Sequence, residues 1–122
     1  MMSIQLKRIY EKPSDVDGLR ILVDRLWPRG ISKKAAMLDY WLKEIGPTTE
    51  LRKGFNHDPK KFPAFKEAYI DELKSNPKQR KALQELKEIC NNKDNQITLL
   101  YGAKDTIHNQ AVILKELLDE AE

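Results

Sequence analysis

Residues Leu19 to Gly30 read LRILVDRLWPRG, an apolar run that ends abruptly in an aspartate, two arginines, a tryptophan, a proline and a glycine. Leu19, Ile21, Leu22 and Val23 are apolar at odd and even positions alike, the pattern of a central parallel strand covered on both faces. Pro28 blocks helical continuation and biases Trp27 toward an extended backbone, while Gly30 permits a tight or left-handed turn. In an open α/β sheet, ligands bind beyond the carboxyl ends of the strands. That edge here carries Asp24, Arg25, Trp27 and Arg29 within six residues, so the stretch predicts both a fold class and the position of a site.

Upstream, Ile4 and Leu6 alternate with Gln5 and Lys7, as in a half-buried or edge strand leading into a turn at Pro13 to Gly18. Downstream, Ser32 is an N-cap for a short turn starting at Lys33, and Leu38 to Leu42 reads as a third strand in preference to a continuing helix. Gly46-Pro47 is punctuation, after which Thr48 or Thr49 caps a short helix through Phe55. Asp58 and Pro59 suit the N-cap and first position of another helix, with Pro63 delaying its regular part, and Phe65, Tyr69 and Leu73 then share one face. Beyond Asn76-Pro77, the stripe of Leu83, Leu86 and Ile89 or Cys90 marks a covering helix. A polar turn at Asn91 to Asn95 precedes a buried strand from Ile97 to Tyr101. Ala111, Leu114 and Leu118 mark a last helix starting from about Thr106. The expectation is one compact α/β domain over residues 1–122, a small, mostly parallel sheet covered by helices.

The length of 122 residues suits one core and leaves no room for separate cofactor and substrate domains. A formal charge of +3 divides unevenly: residues 1–61 carry 13 basic and 8 acidic groups, residues 62–122 carry 9 and 11. Arg20 to Lys34 holds five basic residues against Asp24 alone, a local positive field. The single cysteine, Cys90, excludes an internal disulfide and multi-cysteine metal sites, and it reads as a packing residue on a helix stripe. Met1 to Arg8 lacks the apolar core of a signal peptide and no apolar run is long enough to span a membrane. The expected setting is cytoplasmic, with no membrane partner.

Arg25 and Arg29 are the leading anion binders, because guanidinium offers a planar fork to phosphate or carboxylate and stays charged. Asp24 orients one of them, acts as a base, or simply pairs with an arginine to tie down the loop. Trp27 is a stacking platform or a loop anchor in the core. The second constellation is Tyr101 to Asn109, YGAKDTIHN, between the last strand and the last helix. His108 is the side chain there that exchanges protons near neutral pH, Asp105 caps backbone N–H groups or leaves them to a ligand, and Asn109 orients a substrate or caps. Tyr101, Asp105 and Asn109 thus join Arg25, Trp27 and Arg29 as ligand-binding positions, with Asp24 and His108 as the catalytic pair. His57, Asp58 and His108 match no local metal motif, and no glycine-rich phosphate loop, dinucleotide fingerprint or nucleophile elbow is present, so neither a metal nor a cofactor is expected.

Arg8-Ile9-Tyr10, LRILVDRLWPRG, Trp41-Leu42-Lys43 to Gly46-Pro47, Phe55 with His57-Asp58, Phe65 with Tyr69, Glu72-Leu73, and ITLLYGAKD followed by His108-Asn109 resemble the bacterial and archaeal YeaO-like family. The likeness runs in order over nearly the whole chain and implies a compact α/β domain of a domain-of-unknown-function family. It does not extend to the uroporphyrin methyltransferase label sometimes attached to such proteins, since the chain is too short for the two-lobed enzyme and lacks its glycine-rich loop. A wider set of related domains carries a Cys in the last strand and a Cys-His-Arg at the following helix. The corresponding regions here read Leu100-Tyr101 and Ile107-His108-Asn109, so His108 matches and the thiols do not. Gly54, where a Trp is frequent, and Pro63 are two further departures.

Taken together, the residues point to a small phosphorylated or carboxylated ligand, a nucleotide included, held between the two strand-end loops, with His108 and Asp24 as proton-transfer groups if a reaction occurs. The alternative is a nucleic-acid-binding module using the basic Arg20 to Lys34 segment, with Trp27 interleaved among its cations.

Overall fold

A computed structural model describes residues 3–91 and 96–120. Four strands, β1 (Ser3–Arg8), β2 (Leu19–Leu22), β3 (Tyr40–Trp41) and β4 (Gln96–Tyr101), form one all-parallel sheet in the order β1-β4-β2-β3. The helices are α1 (Lys33–Ala36), α2 (Thr49–Phe55), α3 (Phe62–Ser75), α4 (Pro77–Cys90) and α5 (Gln110–Glu120). This is the expected α/β architecture. The third strand is only two residues long, the core of the expected Leu38 to Leu42. The expected polar turn at Asn91 to Asn95 lies, beyond Asn91, outside the described residues.

Local chemistry explains where the elements begin. Ser32 accepts from the Ala35 N–H, Thr48 from Leu51, Asp58 from Lys60, and Asn76 from Lys78 and Gln79, each side chain satisfying N–H groups that the first helical turn leaves free. Asp58 opens a single 3-10 turn, Pro59–Lys61, and the regular α3 follows with Pro63 in its first turn. Gly18 enters β2 at φ +65°, and a Cβ there would lie 2.1 Å from the Gln96 carbonyl oxygen. Only glycine fits that crossing of two backbones.

The sheet is clad unequally. Ile4, Ile21, Val23, Ile97, Leu99 and Tyr101 face one core with Phe55, Phe65, Tyr69, Leu73, Leu86, Ile113, Leu114 and Leu118 from α2 to α5. Leu22 and Leu100 face a thinner second cluster with Ile9 and Ala36, against which Trp27, Ile31, Leu38 and Trp41 pack. The chain leaving β2 therefore runs to one side of the sheet and the chain leaving β4 to the other. Since β2 and β4 are neighbours, a crevice opens between their carboxyl ends, the switch point at which ligands bind in open parallel sheets.

The thinner side also buries charge. Arg20, expected within an exposed basic stretch, is 4% exposed, and its Nη1 lies 2.6 Å from Asp17 Oδ2 while Nε and Nη2 donate to the Ala36 carbonyl. Lys7 Nζ approaches Asp17 Oδ1 at 3.1 Å. Burial pushes the Asp17 carboxyl up, but the Ser14 N–H, Lys7 and Arg20 outweigh it and hold the group below its ordinary range. Removing one partner of such a buried pair strands the other charge, so Asp17→Ala is expected to cost about 3–5 kcal/mol in denaturant unfolding. Because the folded-state pKa is depressed, this stabilisation is present above the unfolded value of about 3.9 and lost as pH falls through the lower folded value. Unfolding followed against pH is expected to show that acid-dependent loss in the wild type, and the variant to lack its share of it.

Candidate functional site

A cleft of about 400 Å³ lies at the switch point, lined by residues of the β2 exit loop, of α2 and α3, and of the turn between β4 and α5. That volume is in the range of small-molecule sites.

Asp24 sits where the three parts meet. Its Oδ2 accepts from the Gly102 N–H at 2.8 Å and its Oδ1 from the Gln110 side-chain amide, so one carboxylate joins the ends of β2 and β4 to the first residue of α5. A Cβ on Gly102 would stand 3.0 Å from Asp24 Oδ2, which is why the residue after β4 is small. Burial pushes the Asp24 carboxyl up, against the lowering effect of the Gly102 and Gln110 hydrogen bonds and of the Arg52 charge. Asp24 orients neither Arg25 nor Arg29. Its partners are an amide and a backbone N–H, both far away in sequence, and no local pattern announces them.

Arg25 is largely committed. Its Nη2 donates to the Gly46 carbonyl at 2.8 Å, its Nε to Pro47 at 3.1 Å, and its Nη1 lies 3.5 Å from Glu44. The guanidinium fastens the loop to the Gly46-Pro47 turn and lends the cleft charge rather than a free fork. Trp27 is an anchor: its indole N–H donates to the Ile31 carbonyl and its ring meets Trp41 edge-on at 5.2 Å, though one side still lines the cleft. Trp41 in turn donates to the Asp24 carbonyl, and the Tyr10 hydroxyl to that of Arg29. The backbone of the loop is thereby pinned, while the Arg29 side chain is exposed at the rim.

In the second turn, Asp105 Oδ1 accepts the N–H groups of Ile107 and His108, and Oδ2 lies 2.9 Å from His108 Nδ1. These bonds, the His108 backbone N–H foremost, lower the Asp105 carboxyl to about 2. The pairing fixes the imidazole and leaves Nε2 without a hydrogen-bond partner among the described residues. Asn109 is buried, accepting from Val112 N–H and donating to the Asp105 carbonyl, so it caps α5. The last helix accordingly begins at Gln110, four residues later than its apolar spacing suggests, because Asp105 caps the preceding turn and Asn109 the helix. His108, Asn109 and Gln110 line the cleft; Asp105 acts behind His108, and Tyr101 is 2% exposed in the main core and does not line it.

Four lining residues escaped attention in the sequence or were weighed for another role. Arg52 projects from α2 into the cleft with no hydrogen-bond or ion-pair partner among the described residues. Phe55 and Phe65 stack at 4.3 Å to form an aromatic wall. His57, considered only as a metal ligand, stands at the same wall in a left-handed conformation, φ +55°, directly after Asn56 at +48°. Arg52 and Phe55, three apart, share a face of α2, and that spacing is the signal that marks Arg52 as turned toward the domain rather than away from it. Among the described residues no group of three or more His, Cys, Asp or Glu side chains is placed to hold a metal ion. Burial pushes the Cys90 thiol up to about 11, in keeping with a packing role.

The family model described as "Inactive DUF488-N3 subclade" matches residues 3–122. The chain belongs to this family. YeaO of Escherichia coli (strain K12) is 45% identical over 117 residues, 96% of this chain and 97% of YeaO. Rv3073c of Mycobacterium tuberculosis (strain H37Rv) is 32% identical over 116 residues, 95% of this chain and 93% of the relative, and Mb3100c of Mycobacterium bovis aligns equally well. No solved structure matches the chain. The YeaO-like resemblance read from the motifs therefore holds. No helix among the described residues is long and apolar enough to cross a membrane.

Carbon-13 NMR of the carboxyl groups is expected to show Asp105 titrating near 2 in the folded protein. Its folded value lies below the unfolded one, so the turn gains stability above the ordinary carboxylate range and loses it as pH falls toward that value. A midpoint near 4 contradicts the bonding described for this turn.

Proposed function

We propose that the protein binds a small phosphorylated or carboxylated ligand in the cleft between the Asp24 to Gly30 loop and the Tyr101 to Asn109 turn. The observation that carries this reading is Arg52, a guanidinium turned into a concave site without a protein partner among the described residues. A partly enclosed, unpaired cation is costly, and an anion from solution relieves that cost. Arg29 at the rim adds a second charge, and the carbonyl-bound Arg25 strengthens the field. Binding, not turnover, is the favoured activity: the family description carries the word "inactive", and the thiol positions of wider relatives are occupied by other residues. A cytoplasmic setting suits a chain whose one cysteine is buried and reduced.

One observation favours an enzymatic variant of the same site. His108 is held by Asp105 with Nε2 left open among the described residues, and Asp24, raised by burial, shares the cleft, so in that variant the two are the proton-transfer groups. The nucleic-acid alternative draws on less charge than the Arg20 to Lys34 segment suggests. Arg20 is buried on Asp17 and Arg25 is bound to carbonyls, which leaves Arg29, Lys33 and Lys34 exposed. Such a surface is expected to bind with steep salt dependence, a closed pocket with a shallower one.

A thermal-shift screen of phosphorylated metabolites, nucleotides, carboxylates and short oligonucleotides tests the proposal. A small-molecule hit is expected, and Arg52→Ala is expected to weaken it about tenfold or more, the equivalent of one charged hydrogen bond, without lowering the melting temperature of the free protein. A hit that Arg52→Ala binds as tightly as wild type overturns the assignment. Stabilisation by oligonucleotide alone, fading with salt, moves the function to nucleic-acid binding.

A further inference from the structure

The cleft is bipolar. Arg52 projects into it and Arg29 stands at its rim, whereas Asp24 presents a carboxylate from the junction of the two strand ends, close enough for the Arg52 charge to be felt there. Apolar and aromatic surfaces line the same cleft: Phe55 stacked on Phe65, Trp27, and Pro28. A bare phosphate leaves the wall and the carboxylate unused, and a compound anionic at both ends meets repulsion at Asp24. The site is complementary to a molecule that combines an anionic group, a flat ring and hydrogen-bond donors.

Asp24 narrows the choice further. Gly102 and Gln110 each supply one hydrogen bond, to opposite oxygens, which fixes the plane of the carboxylate and leaves a lone pair on each oxygen. An ionised carboxylate only accepts, so it selects a ring edge with adjacent donors. Guanine offers a ring N–H and an exocyclic amino group side by side on one edge. Adenine offers an acceptor nitrogen at the equivalent ring position, which faces the carboxylate unfavourably. The cleft volume of about 400 Å³ suits a ligand of mononucleotide size.

We infer that the ligand is a guanine-type mononucleotide, its base edge on Asp24, its ring against the Phe55 and Trp27 surfaces, and its phosphate on Arg52 and Arg29. This rests on the reading of the cleft as an anion site and adds to it the identity of the ring and the group that reads it. Asp24 serves here as a specificity-determining residue rather than as a base.

Calorimetric titration of wild type and Asp24→Asn with guanosine monophosphate, adenosine monophosphate and ribose phosphate is the test. In the wild type, the guanine nucleotide is expected to bind about tenfold or more tightly than either competitor, the worth of one well-made buried hydrogen bond. Asp24→Asn is expected to bring the guanine-to-adenine ratio close to one, a ratio in which any change in the phosphate affinity common to both nucleotides cancels. Equal binding of all three to the wild type overturns the inference and leaves the anion site standing. So does binding of other anionic metabolites when none of these three binds. Failure of every anionic compound overturns both. If Asp24→Asn does not fold, the ranking on the wild type still decides.

Discussion

The carboxylate of Asp24 is the joint on which the cleft end of this domain is built. In a sheet of order β1-β4-β2-β3, the ends of β2 and β4 lie side by side but their chains leave toward opposite faces. Without a cross-link the two exits would diverge over an open gap. Asp24 closes the gap with two hydrogen bonds, one to the turn after β4 and one to the first residue of α5, and Gly102 is small enough to let the carboxylate approach. The same constraint that holds the crevice together leaves an acceptor facing into it.

Around that joint, cations divide by what they touch. Arg20 is buried with Asp17 and helps hold α1 against the thin face of the sheet, and Arg25 is spent on carbonyls of the Gly46-Pro47 turn. That turn is held from its other side by the Tyr69 hydroxyl on the Ile45 carbonyl, by Gln79 on Gly46 and by Glu72 on Thr48, the cap of α2. The network aims α2, and α2 carries Arg52 and Phe55 into the cleft. Structural arginines thereby position Arg52, whose side chain has no hydrogen-bond or ion-pair partner among the described residues.

Much of the fold was legible because its signals are local. Ser32, Thr48, Asp58 and Asn76 cap elements through hydrogen bonds to N–H groups two or three residues away, and Ile21, Leu22 and Val23, apolar at odd and even positions alike, mark a strand buried on both faces. The position of the cleft was legible, its lining side chains less so. Tyr101 continues the alternation of Ile97 and Leu99 and is carried into the core with them, a consequence of strand period two. The roles of Arg20, Arg25 and Asp24 depend on partners 16 to 86 positions away, apart from the nearby Asp17, and residue type alone does not distinguish a guanidinium bound to carbonyls from one with no partner among the described residues. Arg52 lay outside both strand-end loops, and only the packing of α2 against α3 brings it to them.

The most direct test of the account is a map of backbone amide shifts in nitrogen-15 NMR as guanosine monophosphate is titrated into the protein. The account predicts that the largest changes fall together on Gly102, His108, Gln110, Arg52 and the Asp24 to Gly30 loop, the parts of the chain that meet at the switch point. Changes centred instead on Lys33 and Lys34, or on the groove of Trp41, Lys78 and Lys81 at the far side of α4, would contradict it.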